Sequence, residues 1–333
     1  MIKNFKSMLL ALCALAVISI NSSQVIAATC PNPDAVENLP NFNAPKQKGF
    51  RHFGNWLLSA FYRPYHMVHD MIVAEGQSTT LVGKFDYDKI LHKDLEDEVI
   101  HVYLATQGMS NWEYLGSDKT DSDGKIYMPL SAKPVGDYAI KMVVEGDLTE
   151  ANGYLNVIEA NRKTVLFDID GTLSLSDLEG ITEFLGLNDG VAAHEYAAEV
   201  VQAYQNKNYQ VVFLTGRPYW VANDTRDWLE SLGLLRWHLR TNPSGDGLLA
   251  LDTENYKAEY IDYLINDAKL DIVRAYGNAD TDISAYNRGG IPVDETYIIG
   301  SEAGNGGTNP IYDNYVEHYY SVVLDTPEVD CQY

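Results

Sequence analysis

The stretch VLFDIDGTLSLSD, residues 165–177, sets two aspartates one residue apart at the end of an apolar run, with glycine and threonine directly behind. Its reading depends on what surrounds it. After Asn161, apolar runs (TVLFDI, YQVVFLT, DIVRAYGN, ETYIIG) alternate with helical stretches at 192–205, 222–232 and 256–268. Continuous apolar strands between helices predict a parallel sheet covered on both faces, an α/β domain. Ligands of such sheets lie beyond the carboxyl ends of the strands. Residues 164–167 are then a buried strand, and Asp168 emerges where chemistry on this architecture takes place.

Upstream the period changes. TTLVGKFDY, EVIHVYLA, KIYMPL, DYAIKMVVEG and YLNVIEA are rich in Val, Ile, Tyr and Thr and are separated by Gly, Asp and Pro. Spacing near ten residues predicts a small antiparallel β-sandwich of immunoglobulin-like type over 78–158. Within it, DKTDSDGKI shares Asp121, Asp123 and Gly124 with a calcium loop, but the twelfth position is Leu130, so it reads as a hairpin turn. Residues 28–77 form an N-terminal extension in which Phe53, Trp56, Leu57, Ala60 and Phe61 recur at helical spacing. That stripe reads as a face packed on its own protein, with a face dipping into lipid as the alternative. His66 and His69 lack a third ligand and read as packing or hydrogen-bonding histidines. The loop GSEAGNGGTNP reads as a mobile surface segment.

Lys3 and Lys6 precede an apolar run from Met8 to Ile20 and a small-residue pattern ending at Ala27, the form of a secretory signal peptide over 1–27. The mature protein is expected to be exported, periplasmic or secreted. Its remaining cysteines, Cys30 and Cys331, would then meet an oxidising compartment, and a disulfide tying the termini is the preferred reading over two free thiols. Removal of the two lysines leaves 22 basic residues against 47 acidic ones, a net charge near −25. Such a surface repels nucleic acid and excludes it as a partner unless a cation or basic patch intervenes.

Each later strand of 159–333 also ends in polar residues. VVFLTGRP delivers Thr215, Gly216 and Arg217; NYKAEYI supplies Lys257; AYGNADTD delivers Asn278 and Asp282. Taken singly, these are an acidic turn, a strand-to-helix junction and a solvated lysine. Jointly they suit phosphoryl transfer, in which an anionic ester must be neutralised and attacked in line. Asp168 would be the nucleophile forming an aspartyl-phosphate. Asp170 would be the general acid and base, and Thr172 would hold the nucleophile. Asp168, the Asp170 carbonyl, Asn278 and Asp282 make a hard oxygen cage for Mg²⁺. Lys257, Thr215 and the Gly216-Arg217 backbone would balance the phosphoryl charge.

The order of Asp-Ile-Asp-Gly-Thr, Thr-Gly-Arg, Lys and Gly-Asn…Asp resembles the haloacid dehalogenase superfamily. More closely, 165–323 resembles the catalytic domain of lipins, the phosphatidate phosphatases, in FDIDGTLSLSD, TGRPYWVANDTRDWL, YKAEYIDYL, AYGNADTDISAY and YVEHYY. The resemblance implies a Rossmann-like parallel sheet and a Mg²⁺-dependent phosphatase with Asp168 as nucleophile, Asp170 as acid/base, Thr215 and Lys257 on phosphate and Asn278 on metal. Phosphatidylinositol-transfer proteins of the Nir type carry a related domain that binds phosphatidic acid without the catalytic aspartates; here both are present. Forty-four residues separate Asp170 from Thr215 and 41 separate Thr215 from Lys257, which leaves no room for a large cap. An uncapped site admits a bulky head group, and the resemblance implies phosphatidic acid or a related lipid phosphate as the substrate, met with peripheral membrane contact. A soluble phosphomonoester, or binding of phosphatidic acid without turnover, is the alternative.

Overall fold

The computed structural model describes residues 30, 36–88, 93–175, 191–234, 238–243 and 252–331. The expected signal segment lies outside them. The first unit is a two-sheet sandwich built from β1 (Met67–Val68), β2 (Met71–Ala74), β3 (Thr79–Lys84), β6 (Val99–Ala105), β7 (Glu113–Lys119), β8 (Lys125–Leu130), β9 (Gly136–Val144) and β10 (Glu150–Ile158). Between β3 and β6 a small side pair forms from β4 (Asp86–Tyr87) and β5 (Lys93–Asp94). The sheets run β1-β3-β8 and β2-β10-β9-β6-β7. Alternate residues of both sheets meet in one core, with Leu81, Ile126 and Met128 against Ile100, Val102, Ile140, Met142 and Leu155.

Three details depart from the sequence-based expectation. The sandwich begins near residue 64, because β1 and β2 come from the segment read as an extension. Both are too short to show a period, and strand pairing alone defines them. The sandwich is also not wholly antiparallel, since β2 runs parallel to β10. Finally β7 is mostly exposed, and its polar sequence EYLGSDK carries no apolar alternation.

Helix α1 (Phe53–Phe61) forms where its spacing predicts, but its apolar side is not packed on the protein. Phe53 is 75%, Trp56 51% and Phe61 74% exposed. The helix is held instead by Leu58, which packs against the sandwich core, and by polar contacts: Asn55 Nδ2 donates to Glu98 Oε1 at 2.9 Å, and Ser59 Oγ to Asp147 Oδ2 at 2.6 Å. The 121–125 segment is a turn: Asp121 Oδ1 accepts the backbone N–H groups of Asp123 and Lys125 at 2.9 Å. His66 is buried against Phe85 and bonded to Thr149 Oγ1 at 3.0 Å.

The second unit is a six-stranded sheet, all of whose pairings are parallel. It comprises β11 (Lys163–Phe167), β12 (Gln210–Pro218), β13 (His238–Asn242), β14 (Asp271–Gly277), β15 (Thr296–Ile299) and β16 (Asn309–Ile311), in the order β13-β12-β11-β14-β15-β16. On one face Phe167 and Phe213 pack on α2 (Ala197–Asn206) and α3 (Ala222–Ser231) through Val200, Val201, Tyr204 and Leu229. On the other, Leu166, Val212 and Leu214 pack on α4 (Thr253–Asn266) and α5 (Asp280–Arg288) through Ile261, Leu264 and Ala285. Burial of both faces is why these strands read as unbroken apolar runs. The segment 300–310, expected to be a mobile loop, runs instead through turns into the edge strand β16.

The two units share a joint. Ile72 and Ile158 of the sandwich enter the core under Leu166 and Val212, and Met67 packs with Tyr219, Trp220 and Val221. At its centre Asp70 is fully buried and accepts from Arg226 Nη2 at 2.6 Å, Tyr154 N at 2.8 Å and Leu239 N at 3.0 Å. Cys30 and Cys331 form a disulfide across a sequence separation of 301, with Cα atoms 4.9 Å apart. A loop that long is expected to make the bond worth about 2–5 kcal/mol. Cys30→Ser/Cys331→Ser protein should accordingly show a lower urea midpoint, and an unchanged midpoint would mean that the ends are held by packing alone.

Candidate active site

The chain enters the sheet at β11, adds β12 and β13 on one side, then crosses to lay β14 on the other. That reversal opens a crevice above β11, the place where α/β sheets hold ligands. Asp168 and Asn278 directly follow β11 and β14 there, and Thr215 lies in the carboxyl-terminal half of the neighbouring β12. Gly171, at φ 71°, takes the left-handed conformation that the sharp exit behind Asp170 requires.

Asp168 is buried, and Lys257 Nζ donates to its Oδ1 at 2.6 Å while Thr172 Oγ1 donates to its Oδ2 at 3.0 Å. Burial lifts the Asp168 carboxyl to about 7; Lys257 opposes the rise, and the Asp282 and Asp170 carboxylates add to it. Burial pulls Lys257 downward, but Asp168 and Asp282 outweigh it and hold the ammonium above its ordinary range. Lys257 is thus a fixed cation. The closing YVEHYY motif also reaches the site: buried Tyr315 donates its hydroxyl to the Thr172 carbonyl at 3.0 Å.

Asp282 sits differently from the expectation. Its Oδ1 accepts from Lys257 Nζ at 2.6 Å, and its Oδ2 accepts the N–H groups of Asn278 at 3.0 Å and Ala279 at 3.2 Å. Both oxygens are engaged in orienting Lys257 and capping α5, not in facing Asn278 Oδ1. Gly277 permits this, since a Cβ there would stand 2.6 Å from the Cβ of Asp282.

Asp170 is also turned away from the nucleophile. Arg217 Nε donates to its Oδ1 and Oδ2 at 3.0 and 2.9 Å, Arg217 Nη2 to Oδ1 at 2.8 Å, and Thr215 Oγ1 to Oδ2 at 3.1 Å. Arg217 is itself fixed by Thr225 Oγ1 at 2.9 Å. Residues expected on phosphate therefore clamp the second aspartate. Gly216 is required by packing, because a Cβ would meet Thr253 Cγ2 at 2.8 Å at the start of the helix bearing Lys257. Sequence reasoning missed Thr225 and Tyr315; their positions in quoted motifs were visible, their direction was not.

Whether the donors suit a divalent cation can be tested on Thr172. Its hydroxyl lies 3.0 Å from Asp168 Oδ2 and 3.4 Å from Asn278 Oδ1, which brings a carboxylate and an amide oxygen to one point. These are hard oxygen donors of the kind Mg²⁺ takes. They fit.

The geometry can be set beside known proteins. Residues 165–300 match the family model of the LNS2 domain of PITM 1–3. Residues 64–157, for which the sequence offers no motif, match the β-sandwich domain model of the same proteins. Human membrane-associated phosphatidylinositol transfer protein 1 is 31% identical over 244 residues, which cover 71% of this chain and 18% of that protein. Mouse membrane-associated phosphatidylinositol transfer protein 3 is 30% identical over 239 residues, covering 71% and 23%. Protein retinal degeneration B of Drosophila melanogaster is 28% identical over 263 residues, covering 76% and 20%. The chain spans about a fifth of the length of the curated relatives it matches. A solved phosphoserine phosphatase overlaps 42% of this chain and 87% of that one at 17% identity and a TM-score of 0.29, too slight a likeness to bear on function. The matching models are thus those of the transfer proteins, beside the lipin likeness of the motifs.

Proposed function

We propose that the protein is an exported, Mg²⁺-dependent phosphatase that works through an aspartyl-phosphate, with phosphatidic acid or a related lipid phosphate as substrate. The observation that carries this is Asp168: a buried carboxylate at a strand end, held by Lys257 and Thr172 beside the Asn278 amide oxygen. Asp168, Asn278 and the Asp170 carbonyl would hold the cation, which when bound supplies positive charge against the phosphoryl oxygens. An Asp168 oxygen bonds to phosphorus as the P–O bond to the alcohol breaks, and the departing oxygen takes a proton from Asp170. Water then attacks the phosphorus of the acyl-phosphate, returns a proton to Asp170, and frees Asp168 and inorganic phosphate. Asp170 must leave the Arg217 fork to do this, so the clamp is a resting position. The disulfide supports export, since such bonds persist in oxidising compartments.

Asp170→Asn protein should lose about 10²–10⁴-fold in turnover of alkyl phosphates, the usual worth of a proton donor. The loss should be smaller on p-nitrophenyl phosphate, whose phenolate departs unprotonated; equal losses on both would remove Asp170 from that role. Substrate class is decided by offering purified protein phosphatidic acid in mixed micelles, sugar phosphates and nucleotides, with and without Mg²⁺. Fast hydrolysis of soluble esters beside undetectable lipid turnover would replace the lipid reading by a soluble phosphomonoesterase. The match to transfer-protein domains favours a third outcome, phosphatidic acid binding with no hydrolysis of any ester, against which both aspartates stand.

A further inference from the structure

A cleft of about 380 Å³ opens where the sandwich meets the parallel sheet, and neither Asp168 nor Lys257 lines it. Its walls come from both units, with His69, Met71, Val82, Lys125 and Tyr127 on one side and Arg240 and Tyr260 on the other. The whole chain carries a charge of −23, yet among the described residues no carboxylate lines this space.

Arg240 projects from β13 with its guanidinium carbon 4.9 Å from the centre of the Tyr260 ring. Among the described residues it makes no ion pair, and its buried Nε has no hydrogen-bond acceptor. Among the described residues the Lys125 ammonium pairs with Asp123 alone, at 3.6 Å and on open surface. The buried carboxylate whose charge reaches Tyr260 is Asp70, and its oxygens are already engaged by Arg226, Tyr154 and Leu239. Burial, helped by Arg240, Lys125 and Arg226, holds His69 well below its ordinary range, so it stands in the wall as a neutral ring. A partly buried guanidinium with no carboxylate beside it among the described residues is costly, and an oxyanion with two parallel lone pairs is its natural complement.

We propose that this cleft is a second ligand site, separate from the catalytic one, for a phosphate-bearing small molecule or headgroup. The dianion lies between Arg240 and Lys125, whose two charges balance it, and the organic part lies on Tyr127, Met71 and Val82. The volume falls within the roughly 300–1,000 Å³ of small-ligand sites. A ligand there touches the sandwich, β13 and α4 together. Because α4 also carries Lys257, one turn before Tyr260, the ligand braces the helix that serves the active site.

The test uses the full chain carrying Asp168→Asn, without divalent cation, titrated calorimetrically with phenyl phosphate and, separately, with vesicles containing phosphatidic acid. Arg240→Gln and Lys125→Gln should each weaken binding about 10-fold or more, the worth of one charge-assisted contact, while Lys257→Met leaves that binding event in place. Circular dichroism melting checks that each variant is folded, and Lys125→Gln decides alone if Arg240→Gln is not. Phenyl phosphate bound without vesicles identifies a soluble ester; the reverse identifies a headgroup. Binding abolished by Lys257→Met but indifferent to Arg240 and Lys125, or no binding of either probe, overturns the proposal.

Discussion

Asp168→Asn protein releases no phosphate while remaining folded: turnover falls on the order of 10⁴-fold or more, as for loss of a covalent nucleophile. The amide keeps the shape of the carboxylate and can still meet Thr172 and Lys257, but it cannot bond to phosphorus. The same variant melts at a higher temperature than the parent when no divalent cation is present. Burial raises the Asp168 carboxyl to about 7 in the fold, above the ordinary aspartate value it has when unfolded. A folded state that holds its proton more tightly loses stability as pH rises through that window, and the cost is complete above about pH 7. The variant's advantage should therefore be largest near pH 8 and shrink toward pH 4. Phosphate release and melting curves across that range check both parts. Parent-like turnover sinks the nucleophile assignment, and an advantage that grows toward acid reverses the electrostatic argument.

Asp70→Ala should separate the two units. It strips one carboxylate from three donors at once, the Arg226 guanidinium and the backbone N–H groups of Tyr154 and Leu239. Breaking a buried ion pair from one side costs about 3–5 kcal/mol because the other charge stays buried. Two orphaned amides add to that. A guanidinium chloride titration should show a midpoint well below the parent's, with the cooperative transition splitting in two. If the midpoint moves by no more than a surface substitution would, the shared core of Ile72, Ile158, Leu166 and Val212 holds the joint by itself. Replacing Asp70 and Arg226 together by apolar residues should recover much of the loss, since neither charge is then stranded.

Much of this was legible in residue order. The apolar runs ending in Asp168, Thr215 and Asn278 read as parallel strands because both faces of the sheet are covered, a constraint that acts on each strand separately. The same local logic produced α1 and the Asp121 turn. It failed where a neighbour decides. The stripe on α1 has the period of a packed face, yet Asn55 and Ser59 anchor the helix and Phe53, Trp56 and Phe61 point outward. Met67–Val68 and Met71–Ala74 have no period to read, and only their registers against β3 and β10 make them strands.

In the site the division is sharper. Residue types and their order nominate the aspartates, the lysine and the asparagine, because phosphoryl chemistry needs those groups wherever they stand along the chain. Which carboxylate faces which cation depends on side-chain direction in a low-dielectric crevice, where each donor takes the nearest acceptor of opposite charge. That competition gives Arg217 to Asp170, engages Asp282 with Lys257 and the α5 cap, and leaves Arg240 with no carboxylate among the described residues. Such outcomes depend on distances of a few ångströms between residues tens of positions apart, and only the folded chain sets those distances.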